Sequence, residues 1–564
     1  MPRDLTRREA LGLIGAGGAL GARLAAHVTA EAASDDPDDL LARAIERNDA
    51  EAARLIAAQV ATPSDPRAGS VQDEHTLHQP WSASGVIETL TASFVHPRSR
   101  FHRDRAVLER IRLAVRFLER SQRPSGNIDL LISNFDSPPD TAFVVHGVAT
   151  AAAIAGMQRQ DEITDMLRPF LTRAGEGIVI GGVHTPNHRW VVCSALAQLH
   201  QLYPDDRYVR RIDEWLAEGI DIDADGQYTE RSTLTYNTVI NRALVVMATK
   251  LQRPELLGPV RRNLRALPYL LHGDGEIVTE ISRRQDQYMR GGIEGYWFPL
   301  TFLAVSDQDG QLSTMAREAA GQGVQLSALL EYPELLEPLP EPVPLPSDFE
   351  KPFAEVGIAR FRRGPLSATV VLGASSRLLT LRYGGAVMEG LRFATSFFGK
   401  GQFVPHTAEK RGGIYHLRQS LDAPYYQPIQ QTVTAETWAV TRPSRARSEV
   451  NHLEQSAEIS EIAGGFRVRV QASGTTGVPL AIEITFREGG TLEGCRAIPG
   501  RAGTFLLEDG MGAYRSRGGR IRFGPGSAAH GYVQLRGAEP RLTGQSVYIT
   551  GFTPFDRTLT VVAD

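Results

Sequence analysis

Cysteine is nearly absent: Cys193 and Cys495 are the only two in 564 residues. They fall in regions of different pattern, so this chain can build neither a disulfide framework nor a Cys-rich metal site. An excess of one charge is also missing. The 61 Lys and Arg and 65 Asp and Glu give a formal net charge of -4, which removes any global electrostatic reason to bind nucleic acid or an anionic membrane. There is no His-Glu-x-x-His, no P-loop, no Gly-x-Ser-x-Gly elbow and no EF-hand loop, so the commonest zinc-protease, nucleotide, serine-hydrolase and calcium-loop chemistries are excluded. Scattered His and Asp leave room for a metal without indicating one, and no cofactor is expected. Beyond the N-terminal run, no apolar stretch is expected to approach the roughly 20 residues of a membrane span.

At the N-terminus, Thr6-Arg7-Arg8 precedes an apolar, Gly/Ala-rich run at 11–22 and then Val28-Thr29-Ala30, a small-residue cleavage pattern. This resembles a twin-arginine export signal over residues 1–30, and a periplasmic or secreted location is the expectation. Gly15, Gly17, Gly18 and Gly21 miss the dinucleotide-binding spacing.

From 31 to 330 the apolar residues recur at three- and four-residue spacing, most clearly at 40–60, 105–120, 141–157, 186–202 and 233–251. Short loops carrying Pro, Gly or Asp join them, which favours antiparallel helical hairpins arranged as an irregular ring. Residues 331–353 hold seven prolines among acids, a composition that forms neither helix interior nor central strand and marks a linker. After it, from 354 to 564, the period changes to two, as in 361–372, 377–383, 466–472, 480–486 and 546–551, predicting an antiparallel β-sandwich.

The most informative stretch is Gly181-Gly182-Val183-His184-Thr185-Pro186-Asn187-His188-Arg189-Trp190. Thr185 suits an N-cap and Pro186 the first helical position, so Asn187 and His188 occupy the first turn. Free backbone N–H groups and the positive end of the helix dipole favour an anion there and keep a histidine neutral. Further on, Asp225-Gly226-Gln227-Tyr228-Thr229-Glu230-Arg231-Ser232-Thr233-Leu234-Thr235-Tyr236-Asn237 is a polar approach to the helix that carries Arg242.

A glycine-rich turn, Asn-His opening a helix and a later DG-x-Y-x-E-x-S-x-x-x-Y segment resemble the heparinase II/III-like and alginate lyase-like polysaccharide lyases. The resemblance implies an (α/α) incomplete toroid followed by a β-sandwich, and β-elimination on a uronic-acid-containing glycan without an obligatory cofactor. It places Asn187 and His188 on the uronate and Tyr236 as acid or base. Two departures stand out: Asn237 follows the tyrosine where the family commonly has His, and His406 is the candidate for a further histidine supplied by the β domain.

The chemistry asks for such residues. The hydrogen on carbon 5 of a uronate is removable only if the adjacent carboxylate is neutralised, so preorganised donors must meet the developing charge. Asn187 and Arg189 are candidates, with His188 and Tyr236 as base and acid. If Tyr236 is the base, a cation must lower its pKa, and Arg242 lies further along the same helix. Glu230, Arg283 and Arg284 are candidate binders of sugar groups, and Trp190, Tyr288 and Trp297 candidate stacking platforms. Two other readings compete. Asp136 and Asp140, in Asn134-Phe135-Asp136-Ser137-Pro138-Pro139-Asp140-Thr141, offer the paired carboxylates of a toroid glycoside hydrolase, although Asp140 also suits an N-cap for a helix beginning at Thr141. The third reading is a non-catalytic exported glycan-binding protein.

Overall fold

The computed structural model describes residues 36–373 and 375–564. The export signal expected over 1–30 lies outside them. The chain divides into two compact units, one running to Leu345 and one from Pro346 to Asp564, with His272–Asp274 grouped with the second.

The first unit is an (α/α) toroid. Its helices are α1 (Pro37–Ala58), α2 (Pro80–Val95), α3 (Arg105–Ser121), α4 (Pro138–Met157), α5 (Asp161–Ile180), α6 (Pro186–Leu202), α7 (Asp206–Leu216), α8 (Tyr236–Lys250), α9 (Leu257–Ala266), α10 (Trp297–Asp307), α11 (Gly310–Gly323) and α12 (Leu326–Glu331). α2, α4, α6, α8 and α10 pack side by side in that order as an inner row, and α3, α5, α7, α9 and α11 each cover the inner helix before them. The sequence dictates this division. α3 buries Val107, Leu108, Ile111, Ala114, Val115 and Leu118 and turns its arginines outward, the single apolar stripe of a helix with one wet face.

α4 has no lysine or arginine and is buried along most of its length. By length and composition it could cross a membrane, which corrects the expectation that no such stretch exists. Here its apolar surface faces neighbouring helices on several sides, as a core helix requires.

The inner helices run parallel, because their cross-links advance together: Phe143 meets His188, His146 Nε2 meets Ser194 Oγ at 2.7 Å, and Gln198 donates to Thr150 at 3.3 Å. Inside the ring, Lys250 pairs with Glu331 at 2.8 Å, Thr150 donates to Glu331 at 2.7 Å, and Ser327 donates to Glu88 at 2.6 Å. Buried charges are tolerated only when so partnered, and these bonds key α12 between α2, α4 and α8.

The Pro-rich segment does not hang free. Leu336, Leu339 and Leu345 pack against the helical core. Ser313 donates to the Pro340 carbonyl at 2.6 Å, the Val343 N–H to the Gly310 carbonyl at 3.0 Å, and Thr314 to the Val343 carbonyl at 2.7 Å. Helix α12 and the first strand of the second unit, Asp348–Phe353, both encroach on the range expected to be linker.

The second unit is a β-sandwich of an eight-stranded and a nine-stranded sheet. Both contribute to one core, with Phe361, Phe393 and Phe486 from one sheet and Tyr415, Phe466 and Tyr514 from the other. Every pairing of named strands is antiparallel except that of Thr504–Leu506 with Gln545–Phe552. The period-two runs at 466–472, 480–486 and 546–551 fall within strands Gly465–Gly474, Pro479–Phe486 and Gln545–Phe552, whereas 361–372 spans a hairpin whose turn is at Gly364.

Candidate active site

At the end of α5 the chain passes so close to the start of α4 that a Cβ on Gly181 would lie 2.3 Å from Pro138 Cγ. Only glycine fits there, and it aims the chain into α6. Thr185 is extended at the N-cap and Pro186 opens the helix, but the threonine hydroxyl makes no capping bond. It accepts instead from Asn187 Nδ2 at 3.2 Å.

Asn187 is fully buried, and its Nδ2 also donates to Glu230 Oε2 at 2.7 Å. A carboxylate can face only the NH₂ side of an amide, so Glu230 fixes which way Asn187 points. Asn187 Oδ1 is left buried without a hydrogen bond.

Glu230 is placed by the turn before α8. Asp223 accepts the Gln227 N–H at 2.8 Å, and Gly226 has φ 77°, with the Arg262 carbonyl 2.7 Å from where a Cβ would be. The buried Tyr228 hydroxyl then anchors the strand of chain to Asn241 of α8 at 2.8 Å. Arg284 Nη1 reaches Glu230 Oε1 at 3.2 Å. Ion-pair distance is met there without hydrogen-bond alignment, since Glu230 Oε1 and Arg284 Nε both remain unbonded. Burial is the largest influence on Glu230 and raises its pKa, opposed by Asn187 and Arg284.

Tyr236 is the first residue of α8. Thr235 makes no side-chain cap; Ser232 Oγ accepts the Tyr236 N–H at 2.9 Å and donates to buried Asp286 at 2.8 Å. Asp286 also accepts from Ser282, so one carboxylate ties the 282–286 loop to the approach to α8. That loop sets Gln285 to donate to the Tyr236 hydroxyl at 2.7 Å and Arg284 with its guanidinium carbon 4.8 Å from the Tyr236 ring centroid.

His188 sits beside this group with Nδ1 buried and unbonded. Burial first, then the charges of His184 and Arg284, push its pKa down to about 3, so it is a neutral imidazole near pH 7. Its ring continues an aromatic row: His184 to His188 at 4.7 Å, His188 to Phe143 at 6.1 Å and Phe143 to Trp81 at 5.3 Å. Trp81, Asn187 and Tyr236 lie in the first turns of α2, α6 and α8 and Phe143 in the second turn of α4, so parallel inner helices present their positive ends together.

The structure therefore gathers Asn187, His188, Glu230, Arg284 and Tyr236. It separates others. Arg189 is held by Glu218 at 3.0 Å and Asp221 at 2.7 Å. Trp190 offers no face for stacking: it is fully buried, with its indole N–H donated to Asp221 at 3.1 Å. Trp297 is likewise core. Arg242 turns away from Tyr236 to Gln325 at 3.0 Å and over Phe298. Arg283 is exposed, and its side chain reaches the Thr229 carbonyl at 3.4 Å. His406 is exposed in the second unit.

Asp140 is buried and accepts from Asn134 at 2.8 Å and Ser137 at 2.5 Å. The helix begins at Pro138 with Ser137 as its cap, three residues before the position expected, because proline is at home in a first turn. Asp136 takes up Ser125 and Asn127 at 2.5 and 3.2 Å. Sequence reasoning missed Trp81, Phe143, Gln285 and Asp286 as parts of this region. The Ser282-x-x-x-Asp286 spacing was the one available signal for the last two.

No family model matches the sequence, and no curated protein does. Among solved structures, the Streptomyces coelicolor chondroitin AC lyase in complex with chondroitin sulphate is similar with a TM-score of 0.55 and 16% identity, over 96% of this chain and 81% of that one. A Paenibacillus xanthan lyase gives 0.54 and 10%, over 93% and 57%. A chondroitinase AC lyase studied as oligosaccharide complexes gives 0.50 and 9%, over 93% and 82%. At these identities the likeness is one of fold: the chain has the toroid-plus-β architecture of polysaccharide lyases.

Proposed function

We propose that the protein is an exported polysaccharide lyase, periplasmic or secreted, that cleaves a uronic-acid-containing glycan by β-elimination. The observation that carries this reading is the convergence of Asn187, Glu230, Arg284 and Tyr236 beside a neutral His188. Buried polar atoms there lack partners, and the helix ends favour an anion. The architecture shared with lyases named for chondroitin and xanthan supports it.

In this reading Arg284 meets the uronate carboxylate and its developing enolate charge, while Asn187, whose amide N–H groups go to Thr185 and Glu230, presents its unbonded Oδ1 to accept from a sugar hydroxyl. The proton leaves carbon 5 for the base, the bond from carbon 4 to the glycosidic oxygen breaks, the acid protonates that oxygen, and a carbon 4–carbon 5 double bond remains. A histidine with a pKa near 3 holds a proton poorly, so His188 acts as a neutral hydrogen-bonding partner. Tyr236 carries the proton traffic, with the Arg284 guanidinium over its ring. Asp140, consumed by its helix cap, gives the hydrolase reading little room. The test is incubation with alginate, chondroitin sulfate, heparinoids and xanthan. Ultraviolet absorbance from an unsaturated uronate is the expected result, and reducing ends without absorbance would overturn it.

A further inference from the structure

The strands Ile414–Tyr426 and Arg447–Ile462 of the sandwich pair directly, with Tyr426 opposite Arg447. A two-residue turn would join them. Instead the chain makes a 427–446 excursion whose only helices are the short turns Trp438–Thr441 and Arg442–Ser444, and loops of this length are uncommon in compact folds.

The excursion and its base carry large aromatic rings into solvent. Trp438 and Tyr425 are each 56% exposed and Phe398 is 47% exposed, with Phe398 and Tyr425 5.6 Å apart. Guanidinium groups back the rings: Arg445 lies 4.3 Å from the Trp438 centroid and Arg442 4.7 Å from that of Tyr426. Arg445 is itself buried and donates to the Gln427 carbonyl at 3.2 Å, so it props one face of Trp438 and leaves the other open. From 427 to 447 the chain has three arginines and one glutamate. Among the described residues no carboxylate pairs with Arg442 or Arg447.

We propose that this surface binds a segment of an anionic polysaccharide, with the open rings against sugar faces and Arg442 and Arg447 against carboxylate or sulfate groups. The inference rests on the proposed function only for the class of glycan. Flat apolar faces beside unpaired guanidinium groups are what such a chain complements. A second copy is a poorer occupant, because a two-fold interface would press these arginines on one another. A lipid surface is poorer too, because a single four-residue turn lacks the broad apolar face of an interfacial helix.

The test is native electrophoresis of the full chain through gels containing chondroitin sulfate, alginate or neutral dextran. Retardation is expected in an acidic gel and not in dextran, with the apparent Kd rising about tenfold for Trp438→Ala/Arg442→Ala. Arg442→Glu alone, at an exposed position, gives the same direction without risk to folding. No retardation, retardation unchanged in both variants, selective flotation with anionic phosphatidylglycerol vesicles, or a halved mass in the variants would each overturn the proposal. Unsaturated-uronate absorbance is read separately. Retardation without absorbance sinks the lyase reading and leaves this surface standing; absorbance without retardation does the reverse.

Discussion

Arg284 lies over the ring of Tyr236 while its Nη1 reaches Glu230 Oε1 at 3.2 Å, so one guanidinium joins the tyrosine to the carboxylate that orients Asn187. The arrangement makes these residues a unit, and perturbing one is expected to register at the others.

Tyr236→Phe removes the hydroxyl that accepts from Gln285. We expect uronate-elimination rates to fall by about 100-fold or more, with a melting temperature close to that of the parent. Equal activity in the variant, followed by absorbance, would remove Tyr236 from the chemistry.

Glu230→Gln keeps the shape and loses the charge that holds Arg284 and the Asn187 amide. The expectation is a drop in kcat of roughly tenfold, the size of about 1.4 kcal/mol, with a smaller change in KM. Glu230→Ala, which leaves Asn187 Nδ2 without its carboxylate, costs about 1–3 kcal/mol of stability by urea denaturation.

Burial lowers His188 to about 3 and His146 to about 4, against an ordinary histidine value of 6.5. Both folded values lie below the unfolded one. As pH falls below about 6.5 the unfolded chain takes up protons that the folded chain refuses, so stability declines from there toward pH 4 by up to about 1.4 kcal/mol per unit for each histidine. Urea midpoints across this window measure the slope, and His188→Gln should make it shallower.

Asp140→Asn tests the hydrolase alternative. Because Asp140 serves the α4 cap with Ser137, the variant is expected to lose about 1 kcal/mol of stability and keep its activity per folded molecule. Abolished reducing-end release would instead return the chemistry to this carboxylate.

Helix α6 was legible to the residue, Pro186–Leu202, because proline and the periodicity mark its ends. The start of α8 was not: Ser232 caps Tyr236 from four residues back, through a loop that Asp286 holds from another part of the chain. Arg242 shares a helix with Tyr236, yet six residues rotate a side chain roughly 240° around the axis, away from the tyrosine. Trp190 is the same lesson in reverse, since helical period alone does not say which neighbours will close over an aromatic ring. Arg283 and Arg284 are adjacent in sequence, and only the turn that binds the Arg284 N–H to Ser282 separates their roles.

The segment pinned along α11 by Pro340 and Val343 has a practical consequence for taking the protein apart. Its composition suggests an open tether, but its backbone is engaged at several points, and no lysine or arginine occurs between Arg317 and Lys351. Limited trypsin digestion should therefore leave the junction uncut, and the two units should migrate as one band on a denaturing gel.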